Sequence, residues 1–384
     1  MNSLRIALLA SSRFPVRQPF AGGLEAHVWQ LARSLSGRGH EVSLFAADGS
    51  SVDAPYSRIP VRRFDMTDIA AADPTTPRWA VEEHHAYLAV MMDMAGELRD
   101  SFDVIHNHSL HYLPIAMSPM VSTPMLTTLH TPPFAWLESA VALQQGAFTQ
   151  FAAVSAFTAR QWHPVTGDVP VVPNGIPLDS WPVGDGAGEY AVWSGRLVPE
   201  KGVTQAIEAA RAAGYRLKLA GPTSNIDYFR SEVQPLLGAD VTYEGHLRRD
   251  DLAALVGGAS VAVVSPLWEE PYGLVVAEAL SCGTPVAAYS RGGIPEIIDA
   301  TSGRLAPPDD IGGLADAIFE AAQLSRSDVR ARAEQACSEE TMVDRYLTMY
   351  RSMLRPSRSI TSAGSTPDTS GRSAGSTPDT LLAV

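Results

Sequence analysis

Short apolar runs alternate along the chain with longer stretches in which apolar residues recur every three or four positions. Residues 4–10 form the first such run and predict a buried strand. A Pro- and Gly-rich loop follows, then helical spacing over 24–35 and a second strand at Glu41–Ala46. The same order returns with strands near 104–106, Met125–Leu129 and 152–155, so the first half predicts a parallel sheet covered by helices on both faces. A loose stretch at 177–188 precedes another strand at Tyr190–Ser194 and a second alternating series that reaches about residue 335. One more helical pattern covers Glu339–Leu354.

These breaks predict a first Rossmann-like domain over 1–168, a second over 169–337, a helical segment at 338–356 and a tail at 357–384. The tail carries SAGSTPDT twice, at 362–369 and 373–380, and its Ser, Thr, Gly and Pro cannot bury enough surface to order themselves. At 384 residues the chain exceeds one ordinary core, which agrees with two domains.

The formal charge of −13 argues against general nucleic-acid binding, which needs a basic footprint; any nucleotide must be held locally. Lysine occurs only as Lys201 and Lys218, which makes Lys201 conspicuous. Cys282 and Cys337 are too few for a disulfide framework or a zinc spacing and are expected to be free thiols in a reducing, cytoplasmic setting. No run approaches the ~20 apolar residues of a spanning helix, and the apolar run at the N-terminus is shorter than a signal segment.

The most informative stretch is PLWEEPYGLVVAEALSCGTP at 266–285. The apolar run 260–265 predicts a buried strand, Pro271 and Gly273 break the chain, and Leu274–Ser281 resumes as a helix. In an open α/β sheet, ligands bind beyond the carboxyl ends of the strands, where a helix N-terminus offers unpaired N–H groups to an anion. Glu270 then lies on the loop and Glu278 on the helix. Ionised carboxylates there suit the hydroxyls of a sugar and a ribose, because each can accept two donors at once.

This stretch resembles the signature of family-4 glycosyltransferases of the GT-B fold, a Glu-x7-Glu pattern followed by Gly283-Thr284-Pro285-Val286 and Gly292-Gly293-Ile294-Pro295-Glu296. GRLVPEKG at 195–202 matches a further element of that family. The resemblance covers about residues 4–350. It implies two Rossmann-like domains facing each other across a cleft, the first for the acceptor and the second for a nucleotide-sugar donor, with the C-terminal helix crossing back to the first domain.

The residue roles follow from the same resemblance. Arg196 and Lys201 would bind the donor diphosphate, Arg with a planar fork and Lys as a point charge. Glu278 would hold the ribose, and Glu270 with the Gly273 and Leu274 backbone the donor sugar. His246 and Leu247 lie in a loop that would hold the nucleobase. Gly22 and Gly23 let a backbone approach the donor closely, since neither has a Cβ. Glu25, His27, His108 and His130 are the acceptor-side candidates, His130 resembling the family histidine beside the anomeric centre. His106, His108 and His111 lack a completing Cys or carboxylate at ordinary metal spacing, and Glu82-Glu83-His84-His85 reads as the solvated face of a helix. Ser155 reads as a helix cap. Asn174-Gly175-Ile176 resembles the family hinge, with Pro177 where Asp is usual and Asp179 as its replacement.

The resemblance therefore implies a retaining transferase that moves a sugar from a nucleotide-diphosphate sugar, UDP-linked before GDP-linked, to a hydroxyl acceptor. The chain contains no Asp-x-Asp, so neither metal nor cofactor is expected. Partners are the donor and a small-molecule, glycan or lipid acceptor. The first 165 residues hold no lysine and no polybasic patch for anionic lipid, which favours a small-molecule or glycan acceptor. A nucleotide-sugar 2-epimerase and a non-catalytic nucleotide-sugar-binding protein are the alternatives.

Overall fold

The computed structural model describes residues 3–52, 54, 57–60, 64–144 and 149–354; the repeat-bearing tail lies outside them. Two six-stranded, wholly parallel sheets form the frame. In chain order the first comprises β1 (Arg5–Leu9), β2 (Glu41–Ala46), β3 (Ser57–Pro60), β4 (Val104–Asn107), β5 (Met125–Leu129) and β6 (Thr149–Ala153). The second comprises β7 (Tyr190–Ser194), β8 (Arg216–Ala220), β9 (Val241–Tyr243), β10 (Val261–Val264), β11 (Val286–Tyr289) and β12 (Gly303–Ala306). The spatial orders are β3-β2-β1-β4-β5-β6 and β12-β11-β10-β7-β8-β9.

The strands are apolar on both faces because each sheet is covered twice. In β1, Ile6 and Leu8 enter one core while Ala7 and Leu9 enter another; in β10, Val261 and Val263 part from Ala262 and Val264 in the same way. The strand order switches sides between β1 and β4 in one sheet and between β7 and β10 in the other. Each reversal opens a crevice at the carboxyl ends of the strands.

The Glu339–Leu354 helix returns to the first domain. Its stripe of Met342, Val343, Tyr346, Leu347 and Tyr350 is buried in the core that also holds Ile6, Leu8, Val28 and Trp29. Just before it, Ile176 of the hinge pairs with Ser338, and the Gly175 amide points at the Met342 sulfur.

Most predicted elements lie where the pattern placed them, and the differences have local causes. β6 spans Thr149–Ala153 rather than 152–155, because Ser155 turns out of the strand to accept from the Thr158 amide at 3.0 Å. β3 was not predicted; it is an edge strand that ends in a proline, too short and irregular to show a period.

Candidate active site

The crevice between β7 and β10 brings together Lys201 and Glu270, two of the residues expected on the donor side. β7 ends at Ser194 and delivers Arg196 and then Lys201, which sits in a short 3-10 turn, Pro199–Lys201, before the Val203–Ala212 helix rather than opening that helix itself. β10 ends at Val264 and leads through Trp268 and Glu270 to the Leu274–Ser281 helix. Gly273 caps that helix at φ 103°, a conformation that side chains with a Cβ avoid.

Lys201 Nζ and Glu270 Oε2 form an ion pair at 2.5 Å. The Trp268 indole donates to the same oxygen at 3.1 Å, and the Lys201 ammonium lies 5.0 Å from the Trp268 ring centre. Arg196 is held loosely, 3.9 Å from Glu200. Both predicted cations thus wait beside carboxylates, and the ammonium keeps donors for an incoming anion. Glu278, partly buried on the helix, has its carboxyl pushed up to about 8 by burial alone. The expectation of an ionised Glu278 is corrected here: without a ligand it carries its proton at neutral pH. Loop 245–247 follows β9, and His246 Nε2 lies 2.8 Å from the Phe20 carbonyl of the first domain. No contact of the Leu247 side chain distinguishes it.

The opposing wall comes from the first domain. Gly22 and Gly23 open the Gly23–Gly37 helix, and a Cβ on Gly23 would meet Leu274 Cδ1 at 2.8 Å, so a larger residue there would have to turn the Leu274 side chain aside. Glu25, just inside the helix, is buried; burial raises its pKa while Arg196 across the cleft opposes the shift.

Behind it lies a cluster of histidines. His108 Nδ1 and His130 Nε2 are 2.8 Å apart, and His27 packs against both with ring centres 5.2 and 5.0 Å away. His106 lies behind, bonded to Tyr350 at 2.6 Å and Thr128 at 2.7 Å. Burial lowers the pKa of all four, His27 to about 4, so the group is uncharged at neutral pH. His27 and His108 are sealed inside, which removes them as acceptor contacts; His130 alone of the three is partly exposed. Both His27 nitrogens and His108 Nε2 find no hydrogen-bond partner among the described residues. Nitrogens of His27, His108 and His130 lie within 4.8 Å of one another, the grouping among the described residues best placed to hold a cation. The sequence groups His106, His108 and His111; folding keeps only His108 of these and sets it beside His27 and His130, because Tyr350 and Thr128 engage both His106 nitrogens and His111 turns away to stack on Tyr87.

A second junction was invisible in the sequence. Glu296, the last residue of the Gly-Gly-x-Pro-Glu stretch, accepts from the Ala156 and Phe157 amides at 2.7 and 2.6 Å and so caps the Ala156–Thr166 helix of the other domain. Ser155 and Thr158 donate in return to the Pro271 carbonyl at 2.6 and 3.2 Å, while Gly293 donates to the Glu270 carbonyl at 2.8 Å. The loop that carries Glu270 is therefore fixed from both domains.

Comparison with known proteins agrees with this architecture. The family described as Glycosyltransferase Family 4 matches residues 21–180, and Glycosyl transferases group 1 matches residues 185–337. Among curated relatives, glycogen synthase of Mycobacterium tuberculosis is 28% identical over 339 residues, covering 77% of this chain and 81% of its own. D-inositol 3-phosphate glycosyltransferase of Mycolicibacterium smegmatis is 28% identical over 400 residues, covering 90% of each. Among solved structures, sucrose-phosphate synthase from Thermosynechococcus elongatus superposes with a TM-score of 0.73 at 22% identity, over 91% of this chain and 99% of that one. Anabaena HepE in complex with UDP-glucose superposes at 0.70 and 18% identity, over 91% and 100%. Two facing parallel α/β domains and family matches to both halves make the chain an enzyme of the family-4 glycosyltransferases of the GT-B fold.

Proposed function

We propose that the protein transfers a sugar from a nucleotide-diphosphate sugar, UDP-linked before GDP-linked, to an acceptor hydroxyl with retention of anomeric configuration and without a metal ion. The observation that supports this reading is the Lys201–Glu270 ion pair, which joins the segments that leave β7 and β10, with Arg196 on the first segment, the Leu274–Ser281 helix that carries Glu278 on the second, and Gly23 of the other domain beside Leu274. As the bond from the anomeric carbon to the diphosphate oxygen breaks, negative charge grows on the leaving phosphate. Arg196, Lys201 and the Leu274–Ser281 helix N-terminus stabilise it where it grows. The acceptor oxygen bonds to the anomeric carbon from the same face, and its proton passes to the leaving phosphate oxygen, so no side chain serves as base. Glu270 and the Gly273–Leu274 backbone orient the sugar, Glu278 takes the ribose, and the neutral imidazole of His130 faces the developing positive charge without repelling it.

The curated relatives are named for glycogen and for inositol 3-phosphate, two different kinds of acceptor. The buried free thiols of Cys282 and Cys337 fit a reducing compartment, and among the described residues no helix is long and apolar enough to cross a membrane. The direct test is a thermal-shift screen of UDP, GDP and ADP with their glucose and mannose conjugates, followed by NMR of the product anomer with and without chelator. A ligand at ~100 times its dissociation constant adds about 2.7 kcal/mol of stability. An inverted product, activity restored only by magnesium, or isotope exchange at the sugar C2 without an acceptor would each overturn the reading.

A further inference from the structure

The histidine cluster of the first domain holds more nitrogen atoms than its hydrogen bonds use. β4 and β5 run side by side with Asn107 opposite Thr127, and alternation along each strand puts His106 with His108 and Thr128 with His130. The bonds from His106 to Thr128 and from His108 to His130 place all four on one face. The Gly23–Gly37 helix lays His27 over the pair His108 and His130, and the Glu339–Leu354 helix brings Tyr346 against His27 and His106. His106 is engaged on both nitrogens, by Tyr350 and Thr128, while His108 and His130 use one nitrogen each on one another. His108 Nε2 and both nitrogens of His27 meet no hydrogen-bond partner among the described residues, on side chains of residues only 0% and 4% exposed. Such an imidazole has lost its bonds to water without replacement, yet in its neutral form it keeps a lone pair that can bind a metal ion.

The geometry suits one small cation. One nitrogen from each of His27, His108 and His130 lies within 4.8 Å of the other two. Around a tetrahedral ion with bonds of about 2.0 to 2.1 Å, ligand nitrogens stand roughly 3.3 Å apart. The rings then have to close by about 1.5 Å at most, and the torsion that turns a histidine ring about its Cβ–Cγ bond is a soft one. The ligand set also chooses the metal. Among the described residues the group holds imidazoles alone, which suit zinc, copper or nickel, whereas magnesium and calcium take oxygen ligands. Three histidines with water in the fourth position are a known zinc arrangement. Entry is from the side of His130, the partly exposed member, and the fourth position opens there.

We propose that His27, His108 and His130 form a site for one divalent cation of the zinc class, and that the cation, once bound, inhibits the transfer. The inhibitory half rests on the transferase reading above: a dication on His130 sets positive charge beside the sugar carbon that itself turns positive. The ion is then a brake and not a cofactor, which agrees with a reaction that needs no metal. The test uses the full chain, stripped with chelator, and zinc chloride and cobalt chloride as probes. Calorimetry should show one zinc bound per chain, with millimolar magnesium failing to compete. Cobalt should give the strong visible absorption of a four-coordinate ion, not the faint colour of a six-coordinate one. His130→Gln, at the exposed edge, should weaken zinc at least tenfold and bleach the cobalt band, its melting temperature in chelator showing that it folds. His163→Gln, which removes an imidazole 61% exposed beside Asp168, should change neither signal. Saturating zinc should lower the transfer rate at least tenfold, and chelator should restore it. Equal zinc affinity in the wild type and His130→Gln, a six-coordinate cobalt spectrum, or competition by magnesium would overturn the site. Zinc that binds as expected but leaves the transfer rate unchanged would overturn the inhibition. If the wild-type chain binds no nucleotide, the transferase reading fails while the zinc and cobalt measurements still judge the site.

Discussion

On the second-domain wall of the cleft, charges stand in pairs within reach of solvent, Lys201 on Glu270 and Arg196 beside Glu200. On the first-domain wall, His27, His106, His108 and His130 stand together with no charge, all held neutral by burial. The contrast matches the two charges that the proposed reaction develops as its glycosidic phosphate bond breaks. The anionic leaving group needs cations kept ready but not repelled by one another, and pairing each with a carboxylate provides that. In the proposed reaction the sugar carbon, turning positive, needs a neighbour that is polar but uncharged, and His130, the one member of the cluster that is partly exposed, provides that.

The sharpest way to break the comparison is to remove the key cation. Lys201→Ala should lower kcat/KM by 100- to 1,000-fold, about 3 to 4 kcal/mol, as expected for loss of a group aimed at developing charge. Steady-state kinetics at saturating acceptor would show it, and a change under tenfold would remove Lys201 from the chemistry.

The other wall can be broken by acid. Because the folded His27 pKa lies at about 4 against 6.5 for an ordinary histidine, the unfolded chain binds more protons between these values. Stability from its neutral form is complete above pH 6.5 and is lost as the pH falls towards 4, on the order of 3 kcal/mol from this residue. The melting temperature should drop through that window. His27→Gln, already uncharged, should flatten the drop, and an equal slope in both proteins would count against a neutral cluster.

Glu278 sharpens the contrast, since it is a carboxyl on the charged wall that behaves like the neutral one. Its folded pKa, raised to about 8, keeps it protonated at pH 7 without ligand. Ribose hydroxyls that donate to the ionised form should therefore expel a proton on binding. Nucleotide diphosphate affinity should rise up to about tenfold from pH 7 to pH 9 in the wild type and stay flat in Glu278→Gln. Calorimetry in buffers of differing ionisation heat measures the released proton directly. Glu270→Gln should instead lower kcat and leave nucleotide affinity nearly intact.

The smallest effect belongs to the junction between the walls. Glu296→Gln keeps the shape of the cap but removes its charge, and should cost about 0.3 to 1 kcal/mol of stability, read as a shift in the urea midpoint. A neutral result at low salt would mean that the carboxylate does not act as a cap.

What the sequence revealed and what it hid divide along sequence distance. The Leu274–Ser281 helix was legible to the residue because Gly273 before it and Cys282-Gly283 after it are local punctuation. β2, β5 and β7 were legible because both faces of a parallel sheet are apolar and short. Three site features depend on partners far away in the chain and left no local trace. Glu83 looked solvated because Arg13 is 70 positions away, and Glu296 looked like part of a turn because the helix that it caps is 140 positions away. His27 could not be recognised as buried without the Glu339–Leu354 helix, whose Tyr346 closes over it. Glu270 and Lys201 were recognised from their motifs, but their pairing at 2.5 Å emerges only when β7 and β10 are laid side by side.

The double junction of Glu296 on the Ala156 and Phe157 amides and of Ser155 and Thr158 on the Pro271 carbonyl limits how the two halves can be exchanged. A chimera that joins this second domain to a first domain from another transferase would inherit a carboxylate with no helix start to meet and a Pro271 carbonyl with no hydroxyl above it. The recombinable unit is then not the domain but the domain together with the matching residues at positions 155, 158 and 296, and acceptor range is better altered inside one wall than by trading walls.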